Sequence, residues 1–407
     1  MVQVEQPIRE NRFCQAKFIG QIIGSILRKA PTKKEQTMAK HLVLAGAGHA
    51  HMTALTHIRS IVEKGHRVSV IGPCDHHYYS GMGPGLLAGT YLPEQIRFAS
   101  RLVVEKQGGT FVQGQVVRID PKKKVVYLQS GESLAYDVIS FNTGSTVALD
   151  LVAADSQDVF AVKPIENLIV ARKRILQLSA RKRLAIGIIG GGPSAVEIAG
   201  NAWRLMRPFE SSQPDIRVFA SHQILPRRST RVRQRALRSL RKRGIRVIEE
   251  SPVARVQSGL IQFESGLRVA VDLIFLALGI QPSPIFKASG LPIGPDGGLL
   301  VDAYLRSVDH PEIFGGGDCI SLQGQTLDKV GVFAVRQNAI LYSNLMATLQ
   351  GTGLKPFNSG GAYLLIFNLG DDTGIFFKRR LVFGGRLAFA IKDHLDRRFM
   401  RRFKAYE

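Results

Sequence analysis

The sequence predicts an α/β protein with two three-layer domains, the second inserted in the first, and a small α+β segment at the C-terminus. Three observations predict it. Apolar strands run into glycine turns and then into helical patterns twice, from His41 and again from Leu184. Two further strands, Val138 to Ser145 and Leu273 to Pro282, each carry a glycine near their end, as expected where a chain crosses between domains. A third glycine run, Gly315-Gly316-Gly317, is followed directly by Asp318. Each strand, glycine turn and helix is the opening of a Rossmann-like unit.

Composition sets the frame for these elements. At 407 residues there is room for two or three domains, and 45% hydrophobic residues supply their cores. Disordered and fibrous classes are thereby excluded. The 41 glycines cluster after apolar runs and follow no fixed period, which suits nucleotide-binding turns. The three cysteines, Cys14, Cys74 and Cys319, lack C-x-x-C spacing, so a reducing compartment and a thiol-free mechanism are expected. No metal site is expected, since His49 and His51 merely flank an alanine and His76 and His77 are adjacent without cysteine partners. The net charge of +23 favours an anionic partner. No run of 18 apolar residues occurs, so the chain is not expected to span a bilayer. Residues 1–37 read as an extension with a short apolar stretch, Phe18 to Leu27, and Met38 reads as the native start.

In the first turn, HLVLAGAGHAH, Gly46 permits the sharp bend. Gly48 clears the way for a pyrophosphate to reach the amides of Ala47, His49 and Ala50 at a helix start. His51 stands where Gly or Ala is usual, implying looser packing or a polar contact between helix and strand. The next strand, Arg67 to Gly72, ends without the acid that binds a ribose; Asp75 lies nearby in uncertain register.

The second turn is the fuller fingerprint. Gly190, Gly192 and Ala195 fill its three small-residue positions, Pro193 suits the first helical turn, and Ser194 follows it. The next strand again lacks an acid, and Arg227 and Arg228 lie downstream, so NADPH is as defensible as NADH. Asp318 is suited to accepting hydrogen bonds from sugar hydroxyls while the Gly317 amide approaches phosphate.

With these motifs in order, the chain resembles the pyridine nucleotide-disulfide oxidoreductase superfamily, in the branch of type II NADH:quinone oxidoreductases and sulfide:quinone reductases. GAGHAH, YYSGMGPGLLAG and DKVGVFAVRQNAILYSNL look most like the flavoprotein domain found fused to selenide, water dikinase. The resemblance covers roughly residues 40 to 405. It implies FAD on Gly46 to His51, Pro84, Thr143, Gly144, Gly317, Asp318, Lys329 and Val330, with Tyr79 to Gly89 as a loop beside the flavin. It implies NADH or NADPH on Gly190, Gly192, Pro193, Ser194, Ala195, Glu197 and Gly279. Glu197, Lys329 and Gln337 are its candidates for the chemistry: Glu197 for proton handling or ring positioning, Lys329 beside the flavin, and Gln337 near an acceptor pocket. Arg336 departs from the quinone-reductase pattern, and no cysteine pair follows the first glycine turn. Hydride transfer from NAD(P)H to flavin, then electron delivery to a quinone-like acceptor, is the expected activity. The alternatives are oxidation of sulfide or a selenium compound without NAD(P)H, and a flavin-binding sensor whose second site is vestigial.

The remaining expectations concern boundaries and surfaces. The FAD domain is expected over 38–150 and 280–350, the NAD(P)H domain over 151–279, and a C-terminal segment over 351–407. The arginine run from Arg227 to Arg246 reads as a solvated helix face, without the pattern of a nucleic-acid reader. Leu387, Ile391, Leu395, Phe399 and Phe403 recur every four residues among arginines, which reads as a basic amphipathic helix. It is expected either to dock on an anionic membrane or to pack on its own domain or a second subunit in a homodimer. The expected location is the cytoplasm, with peripheral attachment to the inner face of the cell membrane as the variant this helix raises.

Overall fold

A computed structural model describes residues 38–154, 156–208 and 214–407. The N-terminal extension, with Cys14 and the Phe18 to Leu27 stretch, lies outside the described residues.

Ten strands build two parallel sheets. In chain order they are β1 (His41–Ala45), β2 (Arg67–Gly72), β3 (Thr110–Gln113), β4 (Val138–Phe141) and β5 (Val159–Ala161), then β6 (Ala185–Ile189), β7 (Asp215–Phe219), β8 (Arg246–Ile248), β9 (Leu273–Leu276) and β10 (Ile313–Gly315). The first sheet has the order β10-β4-β1-β2-β3 and the second β5-β9-β6-β7-β8. The two orders are alike. In each, the strand leading into a glycine turn is central: β1 pairs with β2 and β4, and β6 with β7 and β9. Central strands of a doubly covered sheet must be apolar on both faces, and β4 and β9 are buried at every position. The chain leaves and re-enters the first domain through a two-stranded antiparallel ribbon, Ser145–Val147 against Ile280–Pro282. These are the two crossings predicted from the glycine-bearing strands.

Six helices frame the site: α1 (Gly83–Ala88), α2 (Glu166–Ser179), α3 (Pro193–Met206), α4 (Thr230–Lys242), α5 (Gly331–Gln350) and α6 (Arg386–Lys404). The GPG sequence read as a loop, yet it forms α1. Pro84 falls in its first turn, where no donor is lost, and all six of its residues are buried. Helix α4 buries Val232, Ala236, Leu237 and Leu240 and turns Arg231, Arg235, Arg238 and Arg241 outward, as the solvated-face reading expects.

The C-terminal segment is an antiparallel sheet, β11 (Leu365–Asn368), β12 (Gly374–Lys378) and β13 (Leu381–Gly385), followed by α6. It is fastened to α3 at very close range. A Cβ on Gly200 would stand 2.1 Å from the Leu369 carbonyl, and one on Gly370 2.1 Å from the Gly200 carbonyl. Arg243 clamps the same turn through Leu369 O and through Asp371 at 2.6 Å.

The stripe read on α6 does not form a single face. A spacing of four overshoots a helical turn by about 40° per step, so five such positions sweep about 160° around the axis. Phe403 is buried and Phe399 packs against the core, whereas Leu387 and Leu395 are exposed. The inward face is Ala388, Lys392, Asp396, Phe399, Met400 and Phe403.

Candidate cofactor and electron-transfer site

The first glycine turn is organised by a residue that the motif analysis passed over. Asn142, just past β4, accepts a hydrogen bond from Ala50 N–H at 3.1 Å and donates to Gly316 O at 2.7 Å. It thereby ties the Gly46 to His51 turn to the Gly315 to Asp318 turn. The glycines are required by this packing: a Cβ on Gly48 would meet Asn142 Oδ1 at 2.3 Å, and one on Gly317 would meet Asn142 Nδ2 at 2.5 Å. Gly46, at φ +99°, leaves no room for a Cβ against the Asn142 carbonyl.

His51 resolves as the polar contact. Its Nδ1–H donates to Gly46 O at 2.6 Å and its Nε2 accepts from Ser140 at 2.8 Å, so the imidazole bolts the helix start to β4. Gln337, 1% exposed on α5, accepts from Gly317 N–H at 2.7 Å, so its oxygen braces the third glycine turn, and the Gly317 amide expected to approach phosphate is taken by Gln337 instead. Thr143 lies against the Cys319 sulfur, and a Cβ on Gly144 would meet nothing within 4 Å.

Asp318 is held by Lys163 at 2.8 Å and by Ser145 at 3.0 Å. Burial alone would raise its pKa; the charge and hydrogen bond of Lys163, with that of Ser145, more than reverse this and keep the carboxyl below its usual range. Neither Lys163 nor Ser145 carries a motif, and only the fold brings them here. Lys329 turns toward Asp296, with which it pairs at 2.7 Å, while its charge still reaches Asp318. Val330 caps α5 in an extended conformation. Asp75, the acid nearest the end of β2, is paired with Arg101 at 2.7 Å.

In the second turn, a Cβ on Gly190 would sit 2.1 Å from the Ala277 carbonyl, whereas Gly192 and Gly279 face open space. Pro193 starts α3, Ser194 is exposed and Ala195 is buried. One turn further on, Glu197 accepts from Asn368 N–H at 2.7 Å and neighbours Lys392 and Asp396. Lys392 donates to Asp396 and to Gly81 O, each at 2.8 Å, and Tyr79 donates to the other Asp396 oxygen at 3.0 Å. The cluster joins α3, α6 and the chain just before α1. Burial drives the Glu197 carboxyl up to about 7, against the opposing pull of Lys392 and the Asn368 amide. Burial would lower Lys392, but Asp396 and Glu197 hold it above its ordinary value. Of this cluster, Glu197 and Tyr79 are legible in the sequence through the resemblance, whereas Lys392 and Asp396 are brought here by the fold alone.

Residues 40–340 match the family described as pyridine nucleotide-disulphide oxidoreductase. The chain belongs to that family. Its members include FAD- and NAD(P)H-dependent oxidoreductases, and the residues here fit both cofactors: the Asp318 carboxylate and open Gly144 beside the first turn, the open Gly192 and Gly279 at the second. Among relatives, the chain is similar to ferroptosis suppressor protein 1 of Homo sapiens, with 23% identity over 83% of this chain and 88% of that protein. It is similar to a Dictyostelium discoideum protein named "Probable NADH dehydrogenase", with 22% identity over 82% of this chain and 80% of that one. In structure it resembles sulfide:quinone oxidoreductase of Aquifex aeolicus, with a TM-score of 0.73, 16% identity, and coverage of 91% and 92%. The NADH-bound water-forming oxidase of Lactobacillus brevis gives a TM-score of 0.69 at 19% identity, over 84% of this chain and 75% of that one. These likenesses establish the shared two-sheet flavoprotein fold.

Proposed function

We propose that this oxidoreductase is an FAD-dependent NAD(P)H dehydrogenase of the type II NADH:quinone oxidoreductase kind. The observation that carries the reading is the Glu197 cluster, in which the helix opening at the second glycine turn brings a carboxyl raised to about 7 beside Lys392 and Asp396, with Tyr79 bonded to Asp396. Bound FAD supplies the chemistry of accepting a hydride and releasing its two electrons. The chain's own residues bind, orient and move protons. The first turn holds phosphate, and Asp318 with Ser145 holds sugar hydroxyls. The second turn seats NADH or NADPH, with Gly192 and Gly279 clearing its path.

A quinone takes up protons with its electrons. Glu197, titrating near neutrality, can hold and release one, while Lys392 keeps positive charge beside it. The name of the sulfide:quinone oxidoreductase supports this acceptor class, and that of the NADH dehydrogenase relative supports the donor. A chalcogen-oxidising chemistry would call for paired thiols; Cys74 and Cys319 are free, and Cys319 is buried with its thiol directed at Phe141 O and Gly316 O.

The outer face of α6 carries exposed Leu387 and Leu395 with Arg398, Arg401 and Arg402, and we assign it to an anionic membrane surface, the source of a lipid-soluble quinone. Among the described residues no helix is long and apolar enough to cross a membrane.

Anaerobic titration of the holoprotein tests the central claim. NADH or NADPH should bleach the visible flavin band, and a short-chain quinone should restore it. Bleaching only by sulfide or a selenium compound, or by nothing, overturns the assignment.

A further inference from the structure

Helix α4 carries a row of cations without counter-charges. Arg231, Arg235, Arg238, Arg241 and Lys242 are all exposed, and among the described residues none of them has a carboxylate within 4.0 Å. The carboxylates that this helix and the turn after it do reach are taken by other arginines: Glu249 by Arg233, Asp371 by Arg243 and Asp215 by Arg246, each at 2.6 Å. At about 100° per residue, Arg231, Arg235, Arg238 and Lys242 fall within an arc of about 60° and form a row about 16 Å long. Like charges one turn apart repel and weaken a helix. Solvation alone does not require cations to stand in a row.

The row has its own side of the protein. A Cβ on Gly384 would stand 3.6 Å from Arg235 Nη1, and one on Gly374 would stand 3.1 Å from Phe389 N in α6. In the register of β12 and β13, Gly384 pairs with Ile375 and Gly374 with Gly385, so the two glycines belong to opposite faces of the C-terminal sheet. Helices α4 and α6 therefore cover opposite faces, and their outer sides point apart. Helix α4 exposes no large apolar residue and has no aromatic ring, so it offers nothing to insert into a bilayer or to stack on a base. A second copy of a chain with net charge +23 would meet the row with repulsion. Carboxylates suit it, because a guanidinium fork takes one through two parallel hydrogen bonds.

We infer that α4 is a docking surface for an acidic protein, whose carboxylates run along one side of a helix and meet Arg231, Arg235, Arg238 and Lys242. The inner acids, already paired, cannot compete for these four cations.

Fluorescence anisotropy of the full-length protein with labelled synthetic peptides tests this in about 0.15 M salt, where exposed charges are screened beyond about 8 Å. One helical peptide carries glutamates at i, i+4, i+7 and i+11; its isomer has the same composition with the glutamates spread around the helix. The striped peptide should bind at least about tenfold more tightly than the isomer. Arg235→Glu combined with Arg238→Glu changes only exposed positions outside the cofactor turns, so flavin content should stay at the wild-type level. The striped peptide should bind this variant about tenfold or more weakly, and a peptide with lysines in the row should bind it instead. Equal binding of the two isomers, or striped binding that survives in the variant, overturns the inference. So does tighter binding of duplex DNA or of anionic vesicles than of the striped peptide, lost in the variant, which would give the row to nucleic acid or to lipid.

Discussion

Glu197 concentrates the physics of the site in one carboxyl. Its pKa in the folded protein, about 7, lies above the ordinary 4.5, so the folded state binds the proton more tightly than the unfolded chain does. The stability tied to that proton is fully present below the ordinary value and is lost as pH rises through about 7. Glu197→Gln keeps the acceptor for Asn368 N–H and removes the titration. Its melting temperature should therefore gain on the wild type between pH 5 and about 7.5, then hold a constant lead. Thermal scans across that range check this, and a flat difference would refute the raised carboxyl. Turnover in the same variant should fall at least several-fold with FAD retained; unchanged turnover would remove Glu197 from the chemistry. Asn142 makes the complementary point, since a side chain without a motif determines why Gly48 and Gly317 are glycines.

At the scale of elements, α3 and the C-terminal sheet behave as one body because backbone meets backbone. Gly200→Ala would press a methyl into the Leu369 carbonyl at 2.1 Å. Forcing the two apart should cost about 1–3 kcal/mol or more, read as a lowered urea midpoint. It should also shift the Glu197 environment, since Asn368, the last residue of the displaced strand, donates to Glu197. Helix α6 shows how a four-residue spacing misleads. The apolar residues at that spacing spiral from solvent to core, and the inward face carries an ion pair, Lys392 with Asp396, that closes the site.

For the whole molecule, the charge of +23 and the outer face of α6 join in one expectation. Leu387→Glu with Leu395→Glu alters only exposed positions, so flavin content and bleaching by NAD(P)H should persist. Co-sedimentation with vesicles containing anionic lipid should drop several-fold. Retained binding would move the docking surface elsewhere or dispense with it. The effect should weaken with added salt, because exposed charges are screened over about 10 Å at moderate ionic strength.

The sequence by itself determined the paired Rossmann-like units, the two crossings, the three glycine turns and Asp318, because each depends on local rules: apolar runs make central strands, and sharp turns beside a helix start demand glycine. What only the tertiary structure decided is who stands beside whom. Asn142, Lys163, Tyr79, Lys392 and Asp396 reach the site from distant parts of the chain. Glu197 owes its near-neutral carboxyl to burial among segments distant in sequence, Asn368 and Lys392 among its neighbours. Desolvation is a property of surroundings in space, and no periodicity or spacing along the chain encodes it.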